Sequence, residues 1–139
     1  MFMSRLMAID YGFKKIGIAL TDPLQIIAKP FQTIKNISLI NSAAKIVSIS
    51  KEQNVTTIVL GLPINMDGTF GKMTKYIYQL SKTILKLTDI QIVTLDERLT
   101  TQQAKDVLII LNINSRSYKL IEDIIAAALI LQTYLELKS

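Results

Sequence analysis

The side chains in this sequence that are best suited to catalysis or metal binding are carboxylates at or near the ends of predicted elements. Asp10 closes an apolar strand, Asp96 and Glu97 directly follow a later strand, and Asp123 lies in the last helix, on a face of small apolar residues. A carboxylate on an apolar face is costly unless it is paired, capped or bound to a metal. Carboxylates that converge predict an oxygen-ligand site for Mg²⁺ or Mn²⁺. Two such ions can support phosphodiester hydrolysis.

Each carboxylate also has a purely structural interpretation. Asp10 could make a turn, as an Asp at a strand end often does. Asp96 could begin a turn while Glu97 pairs with Arg98 in solvent, and Asp123 could cap its helix. Successive side chains of a strand point to opposite faces, so at most one of Asp96 and Glu97 can join Asp10. Spacing alone leaves open which one does.

The composition restricts the chemistry further. The chain has 139 residues and contains neither His nor Cys. This excludes Ser–His and Cys–His catalysis, disulfides, iron–sulfur clusters and Cys-ligated zinc. The 16 Lys and Arg residues outnumber the 11 Asp and Glu residues, for a net charge of +5. Such an excess favours a polyanionic partner such as nucleic acid, although many domains without one carry a similar charge.

Hydrophobic patterning predicts one α/β domain over residues 1–139, a length typical of a single compact domain. Pro23 and Pro30 are expected to bracket a turn. The predicted strands are 6–10, 16–22, 31–35, 55–60 and 90–95, and the predicted helices are 38–53, 72–88, 100 or 101 to 111, and 117–137.

This order of elements predicts a five-stranded mixed sheet with helices on both faces. Three antiparallel strands come first, and the later strands join in parallel through right-handed crossovers. The active crevice of such a sheet lies beyond the carboxyl ends of its parallel strands. The loop 61–69 follows one of these strands, and its Gly and Asp-Gly turns could present N–H groups to a phosphate.

No segment of the sequence resembles a targeting signal or a membrane span. The first ten residues lack the long apolar region of a signal peptide. The longest apolar run, residues 124–131, is far shorter than the ~20 residues that cross a bilayer. We therefore expect a soluble cytoplasmic protein that does not bind membranes.

Four stretches together resemble the signature blocks of the YqgF/RuvX family, bacterial proteins related to the RuvC Holliday junction resolvases. These stretches are residues 8–19, 59–69, 95–101 and 123–135, and they come in the family's order over nearly the whole chain. The resemblance implies an RNase H-like fold. It also implies a metal-dependent nuclease that matures the 5′ end of the precursor of 16S ribosomal RNA, with structured RNA as its substrate.

The resemblance also implies roles for individual residues. Asp10, Glu97 and Asp123 match the catalytic carboxylates that hold two Mg²⁺ or Mn²⁺ ions, with Asp96 as the alternative to Glu97. The expected substrate-binding residues are Lys14, Lys15, Asn65, Asp67, Arg98 and Thr100.

Three other functions remain to be weighed against the nuclease. The chain could resolve branched DNA junctions, or it could bind nucleic acid with weak or no catalysis. An actin-like phosphotransferase would need two lobes, which this length does not provide.

Phe13 and Phe70 depart from the polar residues usual in the family and are expected to alter substrate contacts. We expect a monomer or a weak homodimer.

Overall fold

The computed structural model describes the backbone of residues 3–112 and 118–138; within these ranges, the side chains of residues 107, 109–112 and 118–124 lie outside the description. The described chain contains five strands, four α-helices and a short 3₁₀ turn (Glu97–Leu99). The strands are β1 (Arg5–Tyr11), β2 (Lys15–Thr21), β3 (Ala28–Lys35), β4 (Val55–Leu62) and β5 (Gln91–Asp96), and the helices are α1 (Leu39–Glu52), α2 (Thr74–Leu87), α3 (Gln102–Asn112) and α4 (Tyr118–Lys138).

The strands form one mixed sheet in the order β3-β2-β1-β4-β5. β1 pairs antiparallel with β2, and β2 antiparallel with β3. β4 runs parallel to both β1 and β5. The predicted five-stranded mixed sheet is therefore confirmed. The carboxyl ends of β1, β4 and β5 meet at one edge of this sheet, which we call the carboxyl edge.

Helices cover both faces of the sheet, as predicted. Met7 and Ile9 of β1 are buried in a cluster with residues of α1 and α2. Leu6 and Ala8 alternate with them and are buried in a second cluster with residues of α4. Strand alternation thus assigns each β1 side chain to one of two faces. We call the second the α4 face.

Most element boundaries differ from the sequence prediction by one to three residues, and the two largest strand extensions are in β3 and β4. β3 begins at Ala28 and includes Pro30, which we expected in a turn. Pro30 is tolerated because β3 is an edge strand and its pairing with β2 shifts register between Ile18 and Ala19. β4 extends to Leu62, two residues into the predicted loop, because it continues to pair with β5.

Side-chain caps hold the starts of two helices. Ser38 Oγ accepts a hydrogen bond from Asn41 N (3.1 Å) at the start of α1. Thr101 Oγ1 accepts one from Ala104 N (3.0 Å), so Thr101 rather than Thr100 caps α3. No helix in the described part of the chain has an apolar stretch long enough to cross a membrane.

Candidate active site at the carboxyl edge

Asp10 lies one residue before the end of β1, at the carboxyl edge. It follows Ala8 by two residues and therefore belongs to the α4 face. Its partner across the β1–β2 pair is Gly17. The side chain of Asp10 is half-buried. The first predicted carboxylate thus sits within the sheet rather than in a turn.

Glu97 begins a short 3₁₀ turn directly after β5. Leu95 of β5 is buried in the α4-face cluster, so alternation directs Asp96 to the opposite face. A Cβ placed on Gly61 of β4 would lie 3.3 Å from the carboxyl carbon of Glu97 and 2.5 Å from Cδ1 of Ile130 in α4. The Glu97 carboxylate therefore lies over β4 on the α4 face, as Asp10 does on β1.

Burial and neighbouring negative charge both disfavour ionisation of Glu97. Burial, followed by the negative charges of Asp10 and Asp96, raises the pKa of the Glu97 carboxyl group to about 7. Two neighbouring carboxylates on one face repel each other when both are ionised, and a bound cation would relieve that repulsion. The arrangement matches the chemistry expected of a metal site.

Asp96 has a different role, because it pairs with Arg98. The Arg98 Nη2 lies 2.8 Å from Asp96 Oδ2, and Arg98 Nε lies 3.0 Å from the same oxygen. Hydrogen bonds from the Arg98 side chain, and then from its backbone N–H, lower the pKa of Asp96. The alternative in which Glu97 pairs with Arg98 is therefore wrong. Arg98 Nη1 also approaches Asn65 O at 3.5 Å, which links this turn to the loop after β4.

The loop after β4 is closed by its own hydrogen bonds. Asn65 Nδ2 donates to Thr69 Oγ1 (3.0 Å), and Asp67 Oδ1 accepts from both the N–H (3.0 Å) and the hydroxyl (2.6 Å) of Thr69. The N–H groups of Asn65 and Gly68 donate to carbonyls of the same loop. The N–H groups of Asn65, Gly68 and Thr69 are therefore already paired within the loop, which argues against their binding a phosphate. Substrate binding by Asn65 and Asp67 stays a prediction.

Thr100 holds the turn that carries Glu97. Its hydroxyl donates to the carbonyl oxygen of Glu97 at 2.8 Å, and its N–H donates to the same oxygen at 3.2 Å. These contacts are within the protein, so they indicate a positioning role for Thr100. Its predicted contact with substrate stays a prediction.

Lysines cluster beside Asp10. Lys14 and Lys15 are exposed at the start of β2, and Lys15 lies directly opposite Lys35 of β3. Lys15 precedes Gly17 by two residues, so Lys15 and Lys35 share the α4 face with Asp10. Their placement opposite each other concentrates positive charge next to Asp10 on this face. Sequence reasoning missed Lys35, because only the β2–β3 register pairs it with Lys15.

Asp123, the third predicted carboxylate, lies outside the described side chains. α4 begins at Tyr118, so Asp123 is five residues inside the helix and is not its N-cap. Ala127 and Ile130, four and seven residues later, are buried in the α4-face cluster. Within the described part of the chain, no three Asp or Glu side chains form a group that could hold a metal. A three-carboxylate site therefore depends on Asp123.

Substitution of Gly61 tests its close packing against Ile130 and Glu97. Gly61→Ala should lower the free energy of unfolding by about 1–3 kcal/mol, since the new methyl group would overlap the buried Cδ1 of Ile130. The same methyl group would press on the Glu97 carboxylate, so any hydrolytic activity should fall as well. Urea unfolding of the variant measures the first effect. In an Ile130→Val background, which lacks Cδ1, Gly61→Ala should cost clearly less stability; equal costs would contradict the contact.

The sequence of this chain is similar to those of a known family. A family model described as "RuvX: Holliday junction resolvase" matches residues 4–137. A protein of Endomicrobium trichonymphae named "Putative pre-16S rRNA nuclease" is 51% identical over 138 residues, 99% of each chain. A protein of Lachnospira eligens with the same name is 39% identical over 137 residues, 96% of this chain and 98% of its own.

Solved structures with low sequence identity share the fold. The Thermus thermophilus RuvC structure in complex with a Holliday junction substrate superimposes with a TM-score of 0.64 at 12% identity, covering 96% of both chains. The yeast mitochondrial Holliday junction resolvase Ydc2 gives a TM-score of 0.61 at 13% identity, covering 96% of this chain and 78% of its own. These similarities confirm the predicted RNase H-like, RuvC-type fold.

Proposed function

The chain belongs to the RuvX family, and on that premise we propose that it is a divalent-metal-dependent nuclease that hydrolyses phosphodiester bonds in the precursor of 16S rRNA. The observation that supports this chemistry is that Asp10 and Glu97 lie on the same face of the sheet at the carboxyl edge. The relatives' name supports the RNA substrate. Because the family model spans residues 4–137, we treat residues 1–139 as one nuclease domain. We propose that it works in the cytoplasm.

Asp10, Glu97 and Asp123 are the residues that would hold Mg²⁺ or Mn²⁺. The described pair fits such an ion, because its donors are carboxylate oxygens, the repulsion between them favours a cation, and Gly61 leaves space beside Glu97. When bound, two such ions neutralise charge on the phosphodiester and lower the pKa of the attacking water. In the protein itself, Thr100 orients Glu97 through its carbonyl oxygen.

Cleavage of two substrates side by side tests this proposal. We expect the protein with Mg²⁺ to cut an RNA spanning the 5′ end of 16S rRNA, and to cut nothing in EDTA. A four-way DNA junction of similar length serves as the competing substrate. Cleavage of the junction alone would favour the resolvase function instead. Tight binding of RNA without cleavage of either substrate would identify a binding module.

The lysines beside Asp10 are proposed to bind substrate phosphates. Changing Lys14, Lys15 or Lys35 to Ala should weaken RNA binding and reduce the log–log salt slope by about one per residue, because one phosphate contact is lost. Binding titrations at several salt concentrations measure this. Lys51→Ala is a matched control, since Lys51 is exposed near the start of β4, at the opposite edge of the sheet. Equal slopes for all four variants and the wild type would contradict the assignment.

A further inference from the structure

Three aromatic side chains form a cluster beside the candidate active site. The ring centroids of Phe13 and Tyr76 are 5.2 Å apart, and those of Tyr11 and Phe13 are 6.3 Å apart, both in edge-to-face arrangements. Tyr11 ends β1, Phe13 lies in the β1–β2 turn, and Tyr76 lies in the first turn of α2. We call this the aromatic cluster. It joins the β1–β2 hairpin to the start of α2 at the carboxyl edge.

Two of the three rings in the aromatic cluster are exposed to solvent. Phe13 is 54% exposed and Tyr76 is 39% exposed, whereas Tyr11 packs partly against the core. An exposed group of aromatic rings leaves apolar area in contact with water, and such areas often mark binding sites. Edge-to-face packing leaves ring surface available for stacking.

Hydrogen bonds from Asn36 anchor the backbone of the turn that carries Phe13. Asn36 Nδ2 donates to Gly12 O at 2.9 Å, and the Asn36 N–H donates to Lys14 O at 2.9 Å, so the residues on both sides of Phe13 are anchored. Ser42 Oγ in turn donates to Asn36 Oδ1 at 2.7 Å. A turn whose backbone is already fixed loses less conformational entropy when a partner stacks on its side chain. This favours a binding role for Phe13.

Two lysines lie next to residues of the aromatic cluster. Lys75 Nζ lies 5.8 Å from the centroid of the Tyr76 ring, and the exposed Lys14 follows Phe13 directly. The first turn of α2 contains no acidic residue. Aromatic rings interleaved with lysines suit a partner that has flat bases joined by phosphates.

The cluster lies across the carboxyl edge from the catalytic carboxylates. Asp10 and Tyr11 are adjacent in β1 and belong to opposite faces, with Asp10 on the α4 face and Tyr11 against the cluster of α1 and α2. We propose that Phe13 and Tyr76 stack an unpaired nucleobase of the strand that is cut at Asp10 and Glu97. This inference rests on the proposed function and specifies its substrate as RNA unpaired next to the scissile phosphate.

Binding of a fluorescent RNA in EDTA, where no cleavage is needed, tests the stacking. The first probe is a single-stranded RNA that contains 2-aminopurine, whose fluorescence falls when the base stacks. The second probe is the same strand annealed to its complement. Phe13→Ala should weaken single-strand binding about tenfold and abolish the quenching, with less than a twofold effect on the duplex. Because stacking carries no charge, the salt slope should stay unchanged.

Two further variants separate stacking from other apolar contacts. Phe13→Trp should retain the affinity, whereas Phe13→Leu, which keeps apolar area without a ring, should lose most of it. Tyr78→Ala is the matched control, because Tyr78 is 43% exposed on the same helix but has no ring contact with the cluster. Thermal unfolding checks that every variant is folded.

Distinct outcomes separate this inference from the function on which it rests. Single-strand binding that is unchanged in Phe13→Ala, or matched by Phe13→Leu, would overturn the stacking site and leave the nuclease intact. If Phe13→Ala loses the same affinity for the single strand and for the duplex, the preference for unpaired RNA is overturned. A Phe13-dependent quenching without cleavage in Mg²⁺ would support the stacking site and contradict the nuclease. A wild-type chain that binds neither RNA would overturn both.

Discussion

Replacing Asp10 with Asn or Glu97 with Gln should slow RNA cleavage by about two to three orders of magnitude, the loss typical when a group that stabilises transition-state charge is removed. Each change keeps the size of the side chain and removes its negative charge, so the affinity for Mg²⁺ should fall while the fold survives. Asp123→Asn is expected to have a similar effect. Single-turnover cleavage of the precursor RNA at saturating protein measures the rate.

Asp96→Asn is the matched control for this series, because Asp96 is adjacent to Glu97 but pairs with Arg98. We expect it to retain activity within about tenfold, the upper limit for loosening a positioning contact. An inactive Asp96→Asn with an active Glu97→Gln would assign the metal to Asp96. Full activity in all four variants would place the active site elsewhere.

The metal-free protein should become less stable as the pH rises from 5 to 8, because of Glu97. Its pKa is raised to about 7 in the folded state, so folding favours the protonated carboxyl group. That contribution is fully present below the pKa of the unfolded chain and is lost as the pH rises through 7. Glu97→Gln removes this dependence and should stabilise the protein at pH 8 by about 1–2 kcal/mol, a figure reduced for the partial solvent exposure of Glu97.

Urea unfolding in EDTA at pH 5 and pH 8 measures this effect. The chain contains no His, so few other groups titrate between these pH values. Glu52→Gln is the control, since Glu52 is exposed at the end of α1. Adding Mg²⁺ at pH 8 should stabilise the wild type more than Glu97→Gln. Parallel pH dependence in the wild type and in Glu97→Gln would contradict the raised pKa.

Local patterns in the sequence predicted most of the elements, because each depends on neighbouring residues. The β-branched run of β4 and the apolar stripe of α1 both appear where expected, and Ser38 caps α1. Pro30 shows the limit of local reasoning. A proline within a strand depends on whether that strand lies at the edge of the sheet, and this depends on pairing with distant residues.

The composition and the order of the motifs were enough to predict a class of chemistry and a family. A chain without His and Cys, with carboxylates at the ends of β1 and β5 and in α4, indicated a metal-dependent reaction, and the four signature blocks indicated the family. Strand alternation also predicted that only one of Asp96 and Glu97 could join Asp10. These conclusions need only residue types and local geometry.

Only the tertiary structure decided how these residues act together. Glu97 joins Asp10 because β4 lies between their strands and presents Gly61, whose missing side chain leaves room for the carboxylate. The register of β2 with β3 pairs Lys35 with Lys15, and the packing of α2 against the β1–β2 turn brings Tyr76 to Phe13. Each contact joins residues far apart in the chain. Their proximity depends on the packing of the whole sheet and its helices, which no local pattern encodes.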